Sequence, residues 1–110
     1  MYGIKTCAME NLQAILQSST PVLIDCFATW CGPCKMVPPI LKEVKDRLGD
    51  QLRIIKIDID KNQQLAAQWQ ISSVPTLLLF RNGNLIWRQS GVVPAHQLVP
   101  MLQEAFEQKA

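Results

Sequence analysis

These 110 residues hold no run of like charge, no long apolar stretch and a single histidine. Each scarcity excludes something. The 11 Lys and Arg are scattered from Lys5 to Lys109 against 9 Asp and Glu, for a net charge of +2. A nucleic-acid binder shows a clustered basic patch, so nucleic acid is not an expected partner. The longest apolar stretches are Val22-Leu23-Ile24 and Leu77-Leu78-Leu79-Phe80, against the roughly 20 residues of a membrane helix. No membrane partner is expected. Met1-Tyr2-Gly3-Ile4-Lys5-Thr6 has no apolar leader core, which suggests a cytoplasmic location. A leader already removed would leave no trace, so a periplasmic location is the alternative.

What is present suits a packed globule. Hydrophobic residues make up 48% and charged residues 18%, a balance that argues against disorder. The length fits one domain over residues 1–110. There are four cysteines: Cys7, Cys26, Cys31 and Cys34. A chain this apolar can bury a core without disulfide staples, and a lone Cys-x-x-C points to redox chemistry or a metal.

Strand and helix signals alternate along the chain. Leu12, Ile15 and Leu16 give a short helix one apolar face, after at best a weak strand at Gly3–Thr6. Val22 to Ala28 is nearly unbroken in apolar character, as in a strand buried on both faces. Val37, Ile40, Leu41, Val44 and Leu48 share one helical face, with Gly49 placed to end the helix. Pro38-Pro39 predicts a kink inside it. Ile55, Ile57 and Ile59 alternate with Lys56, Asp58 and Asp60, a strand pattern. Asp60 and Gln63 have the spacing of a capping box for the next helix. Thr76–Phe80, Asn82-Gly83 and Leu85–Gln89 read as a hairpin. A last helix from about Pro94 to Gln108 carries Pro100, which should kink it or delay its start. The order predicts an α/β fold, a central mixed β-sheet with helices on both faces.

Cys31 and Cys34 stand one helical turn apart, within disulfide range. The unpaired N–H groups at a helix start favour a thiolate at Cys31, and the thiolate is the nucleophile of disulfide exchange. A structural zinc site would need four ligands. The candidates left over are Cys7, Cys26 and His96, which sit on a different element each, so no metal is expected. Asp25 is an acid within an apolar strand, where burial would raise its pKa and make it a proton acceptor. Lys56 is the matching oddity, and the two could pair across adjacent strands. Asp25 sits just before the C-terminal end of a central strand and Cys31 just after it, where α/β sites gather.

Trp30-Cys31-Gly32-Pro33-Cys34-Lys35-Met36 resembles the active-site signature of the thioredoxin family. The resemblance extends to Asp25, Pro39, Lys56-Ile57-Asp58-Ile59-Asp60, Val74-Pro75-Thr76, Phe80-Arg81-Asn82-Gly83 and Gly91. It implies a thioredoxin fold and a protein-disulfide reductase. Cys31 would be the exposed nucleophile and Cys34 the buried resolving thiol. Asp25 would take the Cys34 proton, and Lys56 would tune Asp25. Trp30, Gly32 and Pro33 would form the active-site loop. A cis Pro75, with Trp30, Val74, Gly91 and Val92, would border a groove for the target peptide. No bound cofactor is implied, electrons coming from NADPH through a thioredoxin reductase. The partners would be that reductase and disulfide-containing proteins, met by a monomer.

Cys26-Phe27 departs from the two aromatics usual in the family. Cys26 should face away from Asp25 by strand alternation, as a small buried hydrophobe. Two rival functions keep the same residues: a dedicated oxidant, isomerase or single-partner reductant in an oxidising compartment, and a subunit that binds a partner without thiol chemistry.

Overall fold

The computed structural model describes residues 9–108. The two central strands of its sheet are the two with the longest buried runs. β1 (Val22–Phe27) lies between β2 (Arg53–Asp58), to which it runs parallel, and β3 (Thr76–Arg81), to which it runs antiparallel. β4 (Asn84–Ser90) completes the order β2-β1-β3-β4 by pairing antiparallel with β3. The hairpin turn falls on Asn82 (φ 52°) and Gly83 (φ 81°), both in the left-handed region that a two-residue turn of this hand requires. Its tip is pinned to the end of α1 (Met9–Leu16): Asn82 N–H donates to Ser18 O and Gly83 N–H to Leu16 O.

Alternation along the strands sends side chains to two cores. Leu23, Ile54, Leu77 and Leu79 pack against α2 (Val37–Leu48) and α4 (Ala95–Gln108). Val22, Ile24, Cys26, Ile55, Leu78 and Phe80 pack with Leu12 and Leu16 of α1 and Leu65 of α3 (Gln63–Gln68). Helices therefore cover both faces of a mixed sheet. Among the described residues no helix is long and apolar enough to cross a membrane.

Three local expectations change. Pro38 and Pro39 do not interrupt a helix. A 3₁₀ turn over Pro33–Met36 precedes α2, and the two prolines occupy the first turn of α2, where a missing N–H costs no helix bond. Asp60 does not cap α3; Asn62 holds that position without a side-chain cap bond, and Gln63 Nε2–H donates to Asp60 O instead. Pro100 does not delay α4, which begins at Ala95. Gly49 (φ 54°) does end α2, and Lys45 Nζ–H caps the helix end by donating to Gly49 O and Leu52 O. The weak strand at Gly3–Thr6 and Cys7 lie outside the described residues.

Candidate active site

The site forms where β1 ends and the chain turns toward α2. Cys31 and Cys34 are joined by a disulfide, with Cα atoms 5.4 Å apart. The 3₁₀ turn from Pro33 supplies that spacing, and the Cys34 backbone N–H points at Cys31 Sγ, 3.1 Å away. A fixed N–H at that distance favours negative charge on Cys31 sulfur once the bond opens. Cys31 Sγ also lies 3.7 Å from Val74 O.

The expectation of an exposed Cys31 beside a buried Cys34 does not hold for this disulfide form. They are 4% and 5% exposed, packed with Ala28 and bordered by Phe27, Ile59 and Val74. The exposed groups are their neighbours: Trp30 at 69% and Met36 at 58%, with Gly32 and Pro33 between.

The expected groove residues lie on three loops. The Val74–Pro75 peptide bond is cis. Thr76 Oγ1–H donates to Ser73 O, and Gly91 N–H donates to Pro75 O, which ties the loop before β3 to the chain after β4. Gly91 has φ +88°, a conformation that side chains beyond glycine rarely adopt. Val92 is half-buried and lines a cavity of about 450 Å³ with Met36, Pro39, Ile40, Pro94 and Ala95. Trp30 is steered by a residue that sequence reading assigned elsewhere: its Nε1–H donates to Asp60 Oδ2 at 2.8 Å. Thirty positions separate the two, and no spacing signal links them.

Asp25 is fully buried, on the sheet face toward α2 and α4. Neither carboxyl oxygen has a hydrogen-bond partner among the described residues. Burial pushes its pKa from an ordinary 3.8 up to about 6, against a smaller downward pull from the Lys56 ammonium. Lys56 sits opposite Asp25 in the parallel pairing, as expected for adjacent strands. The two do not close a hydrogen-bonded pair. Lys56 Nζ instead lies over the Phe27 ring, 4.4 Å from its centroid. A cavity of about 360 Å³ opens here, lined by Phe27, Thr29, Cys34, Lys35, Pro38 and Lys56.

Cys26 faces the opposite core and is a free, fully buried thiol. Burial first, then the Asp25 charge, raises its pKa to about 12, so it stays protonated and inert near neutrality. His96 is exposed on α4. Trp69 packs against Phe80 in a tilted pair with centroids 5.4 Å apart, and Trp87 packs on the α2–α4 core, so both serve packing.

The family model described as Thioredoxin matches residues 3–104. Over 86 residues the chain is 50% identical to a thioredoxin-like protein of Synechocystis, covering 78% of this chain and 82% of that protein. It is 44% identical over 91 residues to a chloroplastic thioredoxin Y of rice, covering 83% of this chain. The chain spans 54% of the rice protein's length. A bifunctional thioredoxin reductase/thioredoxin of Mycobacterium leprae is 46% identical over 77 residues, covering 70% of this chain and 17% of that protein.

Proposed function

The chain belongs to the thioredoxin family, and from that premise we propose that it is a general protein-disulfide reductase acting from one domain, residues 1–110. The family consists of oxidoreductases acting on disulfides, and the chemistry here is dithiol–disulfide exchange at Cys31 and Cys34. The observation that carries the reading is the Cys31–Cys34 bond with the Cys34 N–H aimed at Cys31 sulfur.

The reduced pair starts the cycle. The Cys31 thiolate attacks one sulfur of a target disulfide, and the other target sulfur leaves as a thiolate. Asp25 takes the proton of Cys34. The Cys34 thiolate then attacks Cys31 sulfur, closing the internal disulfide and releasing the second target thiolate. Two electrons pass from the pair to the target. A carboxylate with a pKa near 6 suits that proton transfer at neutral pH, and Lys56 tunes it. Trp30, Val74, Pro75, Gly91 and Val92 border the groove for the target chain, while Gly32 and Pro33 shape the loop. No cofactor binds to the chain. Reduction of the Cys31–Cys34 bond falls to a partner reductase that draws on NADPH; the fused Mycobacterium leprae relative supports this. The protein acts as a monomer in a reducing compartment. The cytoplasm is the location proposed, and the chloroplastic relatives name another compartment of that kind.

Insulin reduction driven by NADPH and a thioredoxin reductase tests the proposal. Turnover is expected for the parent, none for Cys31→Ser, and an accumulated mixed disulfide for Cys34→Ser. The redox potential should lie near about −270 mV, the reference value for this family. A potential above about −200 mV, in the range of isomerases, would mean that the chain oxidises its targets. Reduction that persisted without both cysteines would overturn the site.

A further inference from the structure

Asp25, Phe27 and Lys56 occupy one small patch of the sheet. Residues two apart on a strand share a face, so Asp25 and Phe27 project to the same side of β1. Lys56 is the register partner of Asp25, and Asp58 is that of Phe27. Lys56 thus stands beside the acid and diagonal to the ring. Its ammonium is held 4.4 Å above the ring centroid, within the range of a cation–π contact. The same ring and the same lysine line the cavity that reaches Cys34.

A lysine side chain has four rotatable carbons and a strongly hydrated head, so on a sheet edge it would normally extend into water. β2 is the last strand on its side of the described sheet. The Asp25 carboxylate attracts that head by charge but makes no hydrogen bond to it among the described residues. The contact present is the ring face of Phe27.

We propose that Phe27 is a positioning residue, whose ring fixes the Lys56 ammonium beside the buried carboxylate of Asp25. This rests on the reading of Asp25 as the proton acceptor for Cys34, and it names what sets the strength of that acceptor. The groups that face the patch from neighbouring elements are few. Lys56 and Asp58 come from β2, Cys34 and Lys35 from the 3₁₀ turn before α2, and Cys26 from the back of β1. Asp58 is already engaged, its Oδ1 accepting from the Asp60 and Lys61 N–H groups. Cys26 stays protonated, as above. Lys56 is therefore the charge whose distance from Asp25 the ring controls.

The test follows the Asp25 carboxyl by NMR through a pH titration of the oxidised protein, so that neither Cys31 nor Cys34 titrates. Phe27→Leu should raise the Asp25 midpoint by about half a pH unit, because a freed Lys56 pulls it down less. Phe27→Trp, which restores a ring face, should return the midpoint to that of the parent. With Lys56→Met in place, Phe27→Leu should cause no further shift. In the parent, the ε-methylene protons of Lys56 should be shifted upfield by the ring, a reading that needs no variant.

An equal shift with methionine at position 56 would mean that Phe27 acts by shielding Asp25 from water, and would overturn the proposal. So would an unmoved midpoint, or unshifted ε protons. These titrations are read without any disulfide substrate. A failure of insulin reduction would leave them standing, and the converse also holds.

Discussion

Removing the charge of Asp25 should make the oxidised protein gain stability relative to the parent as pH rises from 4 to 8. The carboxyl is fully buried, without a hydrogen-bond partner among the described residues, and its pKa rises from 3.8 to about 6 on folding. The folded state thus binds this proton more tightly than the unfolded chain. Stability from that proton is fully present below 3.8, falls as pH rises, and is gone above about 6. At about 1.4 kcal/mol per unit, the shift is worth roughly 3 kcal/mol. Asp25→Asn keeps the shape and abolishes the titration. Its amide carries a constant cost of about 1–3 kcal/mol if it also stays unpartnered, so the sign at one pH decides little. The difference between variant and parent is the diagnostic quantity. It should move in favour of the variant by about 2–3 kcal/mol between pH 4 and pH 8. Urea unfolding of both oxidised proteins at several pH values measures it, as a change of about 1–3 M in the gap between midpoints. All other carboxylates cancel in the comparison. A gap that stays constant from pH 4 to pH 8 would refute the raised pKa, and with it Asp25 as a proton acceptor near neutrality.

Two further predictions concern the frame. Gly83→Ala places a Cβ 2.7 Å from Gln17 Nε2, a side-chain end that can swing aside, but leaves the residue at φ +81°. The backbone cost should be about 1–2 kcal/mol, read as a lower urea midpoint with insulin reduction unchanged. Lys45→Met strips two carbonyls, those of Gly49 and Leu52, of their charged donor. Destabilisation of about 1.5–3 kcal/mol is expected by the same assay, and a loss under about 0.5 kcal/mol would show that water replaces the ammonium freely.

Much of the frame was legible because its signals are local. Asn82-Gly83 specified its turn through the dihedral freedom of two residues, and the structure has both at positive φ. The runs at Val22 and Leu77 read as buried strands because apolar length and burial are directly coupled. The buried acid stood out for the converse reason. Errors arose where one residue type serves two local purposes. Pro38-Pro39 suits either a kink or a helix start, and the change from 3₁₀ turn to α-helix at Val37 decided for the latter. Asp60 suits a helix cap, yet its carboxylate goes to Trp30, a tertiary choice with no trace in spacing. The exposure of Cys31 depended on how Ala28, Phe27 and Val74 close over the disulfide, and packing of that kind is not periodic. The ring over Lys56 is equally hidden: Cys26-Phe27 departs from the family's two aromatics, but nothing in that departure foretells the contact.

Asp25 and Cys26 are chain neighbours on opposite sides of one sheet. The consequence is electrical insulation. Exchange between sulfurs requires a direct approach, and Cys26 packs in a different cluster of buried side chains from the Cys31–Cys34 pair. Two electrons held by the pair cannot drain into the third described cysteine, nor can that thiol capture a target in transit. Among the described residues, strand alternation thus sets one of three cysteines within nine positions apart from the exchanging pair.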